Sequence, residues 1–176
     1  MSDADGGVGM IIYTEKGGGL HDAVRLAGQW LTNSPDGWQS SDDAAVQAII
    51  DAYTVENAIA AKCLHVSILA KSLRDYVVIA ISAGEMASWP IKMSEMAKFA
   101  ATGSAAQCPM LSMEAAERGV TVASIVARVG GNGAVFAGLE AKIGGTDGRH
   151  RDAIKKLTTF DAVAAYDFSG GWPAVK

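Results

Sequence analysis

Two cysteines and three histidines are the side chains of this sequence best suited to nucleophilic or metal chemistry, and their spacing serves neither. Cys63 and His65 stand two apart in AKCLHVSIL, which suggests a thiol–imidazole pair, but residues two apart on a helix point to different faces and cannot meet. Cys108 lies far along the chain with no CxxC spacing, so neither a zinc site nor a disulfide framework is indicated. Both thiols are expected to be reduced, half-buried small apolar residues. His21, His65 and His150 fall in three different segments. Asp147, Arg149, His150, Arg151 and Asp152 gather charge as an acid–base cluster would, yet alternating signs at a helix start read as a solvated face.

The glycine clusters GGVG, GGG and GGNG resemble phosphate cradles only superficially. None follows a strand and opens a helix with Lys-Ser or Lys-Thr behind it. The patterns GxGxxG, GxxxxGK[ST], GxSxG and HExxH do not occur. No catalytic, cofactor-binding or metal-binding residue is assigned, and a small enzyme using Cys63 or Cys108 as nucleophile is the weakest of three readings.

Bulk properties point the same way. The 176 residues suffice for one ordinary domain or two small modules sharing a core, and 49% hydrophobic against 19% charged residues is a folding composition. The net charge is −4 with scattered basic residues, which argues against nucleic acid as partner. Apolar stretches are interrupted well before the roughly 20 residues that span a bilayer, and MSDADGGVGM is acidic with no apolar leader core. No membrane partner is expected, and the product is made in a cytoplasm and kept there or released by lysis.

The elements divide into a small N-terminal β-α-β-β-α module, 1–53, and a helical region, 54–176. Met10–Thr14 reads as a strand that stops at Gly17-Gly18-Gly19, and Leu20, Ala23, Val24 and Ala27 then recur at helical spacing to a stop at Gly28. Asn33-Ser34-Pro35-Asp36-Gly37 suits a hairpin with Trp30 and Trp38 on its arms. Ser40 and Ser41 followed by Asp42 and Asp43 cap a helix carrying Val46, Ile49 and Ile50. From Thr54, apolar residues at steps of three or four run to Ile81, a helix of roughly 25 residues whose stripe a fifty-residue module cannot cover alone.

Ser82 and Glu85 form a capping box for a helix to Gly103 that Pro90 either kinks or restarts. Cys108-Pro109 opens a short helix ending at Arg118-Gly119. Val122, Val129, Phe136 and Ile143 fall seven apart straight through Gly130, Gly131 and Gly133, which implies either a local break or, as favoured here, close packing of another backbone. Gly144-Gly145 and Asp147-Gly148 punctuate before RHRDAIKKL, Thr158 with Asp161 makes a capping box, and DFSGGWPAVK is a Gly/Pro tail with Trp172. Met86, Met93, Met96, Met110 and Met113 crowd into one stretch, as core filling or as a plastic partner groove.

The residues Ala44-Val46-Gln47-Ile49-Ile50-Asp51-Tyr53, Glu85-Met86-Trp89-Lys92-Glu95-Phe99, Cys108-Pro109-Leu111, Glu114-Ala115, Arg118-Gly119-Val120, Val126-Val129 and the closing GRHRDAI to AYDFSGGWP occur in an order that resembles the small tail proteins or tail fibre assembly proteins of tailed bacteriophages. The likeness covers most of the chain from about residue 10. Its most specific part is the helix carrying Trp89, Lys92 and Glu95 with the Pro109…Leu111…Ala115…Arg118-Gly119 segment behind it, with Met96 where Ala is common and Cys108 where Thr or Ala is common. The resemblance implies no enzyme and no cofactor. It implies a virion tail component, an adaptor or fibre-attachment subunit at the distal tail, or alternatively a fibre assembly chaperone absent from the mature particle. The expected fold is a mostly helical α+β one, the small module followed by long helices in a hairpin-like C-terminal region. Partners would be other tail or fibre proteins, in a homo-oligomer or hetero-assembly, with Trp89, Met93, Met96, Phe99, Met110, Met113, Phe136 and Trp172 as contact candidates.

Overall fold

The computed structural model describes residues 11–174. Among them the fold is the mostly helical α+β type: α1 Gly18–Leu26, β1 Leu31–Ser34, β2 Gly37–Ser40, α2 Asp43–Ala52, α3 Val55–Val78, α4 Ala83–Thr102, a 3₁₀ turn over Ala105–Gln107, α5 Pro109–Glu117, α6 Val122–Ile154 and α7 Phe160–Ala165. The described residues form two compact units, one of 11–69 with 147–170, the other of 70–146 with 171–174. The sequence-based division at 53/54 follows chain order, whereas these units interleave, α3 and α6 each contributing to both.

The first unit closes around Leu20 and Val24 of α1, Val46 and Ile50 of α2, Tyr53, Ala58 of α3 and Val163 of α7. Leu20, Val24, Val46 and Ile50 are at most 1% exposed, and burying an aliphatic side chain of this size contributes about 1.5–3 kcal/mol. α2 starts where its sequence offers a cap: the Asp42 carboxylate accepts the Ala45 N–H. Its other end is tied by Lys16, whose ammonium donates to the carbonyls of Ile50 and Tyr53 at 2.5 and 2.9 Å.

The hairpin pairs Asn33 with Trp38 and Ser34 with Gly37, leaving Pro35 and Asp36 as its loop. Pro35 holds φ negative and so excludes the primed turns common in two-residue hairpins; the reversal is completed at Gly37, with φ 109°. Trp38 projects from β2 onto Tyr13 in a stack with centroids 3.8 Å apart.

The expected strand at Met10–Thr14 does not form over 11–14, and Met10 lies outside the described residues. A single side chain takes the place of a partner strand. Gln47 Oε1 accepts the Ile12 N–H at 2.9 Å while Gln47 Nε2 donates to the Ile12 carbonyl, satisfying the polar groups that a ladder would have paired.

Two further expectations are corrected. Gly144-Gly145 and Asp147-Gly148 do not punctuate: α6 runs unbroken for 33 residues, its helical hydrogen bonds needing no side chain at those positions. The C-terminal capping box gives way to Thr159, whose hydroxyl accepts the Ala162 N–H at the start of α7. α6 also corrects the reading of interrupted apolar stretches. By length and composition alone it could cross a membrane, with mean hydropathy 1.4 over its most apolar window. From Val122 to Leu139 the one charged residue is Arg128.

α7 and the chain beyond it are fastened through His150, whose Nε2 donates to the Gly170 carbonyl and whose Nδ1 faces the Tyr166 hydroxyl, both at 2.9 Å. The Gly170 carbonyl can only accept, so Nε2 carries a proton.

One close approach makes a stability prediction. A Cβ on Gly19 would run into the Tyr53 hydroxyl and lie 2.6 Å from Ala61 Cβ, and that buried hydroxyl has no hydrogen-bond partner among the described residues. Gly19→Ala is expected to cost about 1–3 kcal/mol through overpacking, and Tyr53→Phe to be neutral or stabilising. Chemical denaturation checks both, and the double variant should recover part of the loss but not all, since Ala61 remains.

Candidate partner-binding groove

The second unit is built around a turn in which α4 hands over to α5. Ser82 opens α4 by accepting the Glu85 N–H, Gly103 closes it in the left-handed region at φ 67°, and the helix runs through Pro90 without a break. Pro109 then occupies the first turn of α5, where its missing N–H costs nothing. The remaining N–H groups at that end would be orphaned inside a core. Glu95 of α4, only 5% exposed, answers them: Oε1 accepts from Met110 N at 3.2 Å and Oε2 from Leu111 N at 2.9 Å. The Cys108 thiol adds a bond to the Glu95 main-chain carbonyl at 3.2 Å.

Around this cap sit Cys108, Leu111, Ala115 and Ile125, all buried, with Met96, Phe99, Val122, Val126 and Val129 packed against them. Cys108 is thus wholly buried rather than half-buried. α6 faces α4 through its glycines, but the neighbour is not backbone. A Cβ on Gly130 would lie 3.3 Å from Met96 Sδ and one on Gly133 3.2 Å from Met93 Sδ, whereas Gly131 faces open space. The flexible thioethers fill the room the glycines leave.

Beyond Met93 the pair opens into a cavity of about 540 Å³. Its apolar lining comes from Val77 of α3, Ile81 after it, Trp89 and Met93 of α4, and Phe136 and Leu139 of α6. Trp89 and Phe136 meet edge to face at 5.2 Å and 71°, a favoured aromatic geometry. Glu85 lines it as well, and polar residues gather where α5 approaches: Lys92, Glu114, Arg118, Arg128 and Asn132. Glu114 is the hub, with Oε2 2.8 Å from Lys92 Nζ and Oε1 3.0 Å from Arg118 Nη2. The Lys92 hydrogen bond, helped by the positive charges of Lys92, Arg118 and Arg128, holds its carboxyl below the ordinary range despite partial burial. Arg128 itself makes no ion pair or hydrogen bond among the described residues. A second pair, Arg74 with Glu140 at 2.7–3.0 Å through three hydrogen bonds, ties α3 to α6 nearby and likewise lowers the Glu140 carboxyl.

The sequence-derived contact candidates separate here. Trp89, Met93 and Phe136 line the groove. Met96 and Phe99 serve the adjacent core, Met110 is half-buried at the capped start of α5, and Met113 stands 71% exposed on that helix. Trp172 is elsewhere, half-buried in the closing segment, where the Thr146 hydroxyl donates to the Gly171 carbonyl at 3.0 Å. The cluster Lys92, Glu114, Arg118 and Arg128 escaped sequence reading, since its members come from three helices. Only the spacing of Glu114 and Arg118, four apart, carried a local signal.

Cys63 and His65 do not pair as a thiol and imidazole; they go to separate partners, the Arg151 carbonyl and the Asp22 carboxylate. Burial pushes the Cys63 thiol pKa up, the opposite of what a nucleophile needs. No family model, curated protein or solved structure matches the chain.

The Glu114 hub sets an acid dependence. Because its folded pKa lies below the ordinary 4.5, its contribution is present above that value and is lost as pH falls through the lowered one. The difference in melting temperature between the wild type and Glu114→Gln is expected to shrink as pH is lowered from about 6 to about 3, as thermal melts at stepped pH would show.

Proposed function

We propose that the chain is a non-enzymatic structural component of a bacteriophage tail, an adaptor or fibre-attachment subunit at the distal end, acting through contacts with other tail or fibre proteins. The observation that carries this reading is the groove of the second unit. Its lining is mainly apolar, its walls are helices, and large apolar side chains stand exposed on the same elements: Ile91 and Met93 on α4, Val135 and Phe136 on α6, Ile79 just past α3. Apolar surface concentrated this way marks sites that other proteins cover. The resemblance of the Trp89–Lys92–Glu95 helix and the Pro109–Gly119 segment to phage tail proteins supplies the setting. Within the apolar stretch of α6, Ile125 is buried in the second core, while most of the remaining surface, Val135 and Phe136 included, is left for a neighbour to cover.

A chaperone that holds the fibre and leaves before maturation is supported by one feature, the methionine side chain on the groove wall, since flexible thioethers suit transient contacts. Quantitative mass spectrometry of gradient-purified particles separates the two. A tail subunit is expected at a fixed copy number per particle; peptides found only in infected-cell lysate would identify the chaperone instead.

A further inference from the structure

We infer that the groove between α4 and α6 receives an amphipathic helix of a partner protein whose apolar ridge ends in carboxylates. The inference deepens the tail-protein reading and rests on it for the partner's being a protein. Three observations select this occupant.

The first is shape. Glu85, Trp89 and Lys92 with Met93 recur along α4 at helical steps, and Arg128, Asn132, Val135 with Phe136, and Leu139 recur along α6. From Glu85 to Met93 the wall runs eight residues, about 12 Å, the length of two helical turns. A groove walled by helical ridges takes a third helix ridge at i, i+4 and i+7.

The second is charge. Where α5 meets the groove, Lys92, Arg118 and Arg128 surround the single carboxylate Glu114, a local excess of cations on a chain whose net charge is −4. Glu85 stands on the wall away from this cluster, two helical turns before Lys92. A docked ridge with carboxylates toward α5 meets Arg128, which has no ion-pair partner of its own among the described residues; reversed, it sets acid against Glu85.

The third is anchoring. Trp89 and Phe136 are already locked edge to face, so the aromatic floor loses little freedom on binding, which is where binding energy concentrates.

The test uses the full chain and two synthetic helical peptides of about 15 residues, alike in their leucine ridge but ending in Glu-Glu or Lys-Lys, followed by fluorescence anisotropy and light scattering. The acidic peptide should bind at least about tenfold more tightly than the basic one and weaken with added salt. Phe136→Ala, at a position already 37% exposed and therefore compatible with folding, should abolish binding with an unchanged circular dichroism spectrum. Arg128→Glu should remove or invert the preference. Equal binding of both peptides, binding of neither, or a dimer that Phe136→Ala dissociates would overturn the inference, the last by giving the groove to a second copy. Peptide failure with the chain present in particles leaves the tail reading standing without this groove; peptide binding with the chain absent from particles does the reverse.

Discussion

The second unit depends on one buried carboxylate. Glu95 lies in the middle of α4 and reaches across to the first free N–H groups of α5, so two helices that the six-residue connection 103–108 could have joined in many ways are fixed by two charge-assisted hydrogen bonds. The cost of holding an acid at 5% exposure is met by donors that would themselves be orphaned without it. Pro109 removes one such donor from the start, which leaves Met110 and Leu111 as the groups the carboxylate must serve. Cys108 then turns its thiol back to the same helix, and Leu111 and Ala115 are delivered to the core beside Ile125.

The groove follows from that geometry. With α5 set against α4, Glu114 comes within reach of Lys92, and Arg118 one turn on closes the cluster. On the other wall, glycines 130 and 133 admit the Met96 and Met93 side chains, so α6 can lie beside α4 at its start and leave room further along, where Trp89 meets Phe136. The same helix pair is thus filled at one end and open at the other.

Elements whose signals are local were legible in the sequence. The Pro35-Asp36 hairpin, the Ser82 cap, the Gly103 stop, the Pro109 start and the Arg118-Gly119 end each rest on residues within one turn of each other, and each stands where its chemistry placed it. The misses share the opposite property. Ile11–Thr14 has strand composition, but its pairing was decided by Gln47, 35 residues beyond Ile12. Gly144, Gly145 and Gly148 look like stops, yet the flanking turns of α6 carry the helix through them. Trp89, Met93 and Phe136 were legible as apolar candidates from their types and spacing, while their grouping into one groove and the cation cluster beside it depended on how three helices meet. Glu95 was visible only as one letter of a helical pattern; nothing in its neighbourhood says that it is buried.

The central role of Glu95 is open to direct measurement by amide hydrogen exchange at Met110 and Leu111 in the wild type and in Glu95→Gln, which keeps the size and one acceptor while removing the charge. Faster exchange at those two amides, spreading to Leu111's core neighbours Ala115 and Ile125 while Leu20 and Val24 of the first unit keep their protection, is the result expected if the carboxylate organises the second unit. Unchanged protection at Met110 and Leu111 would contradict it.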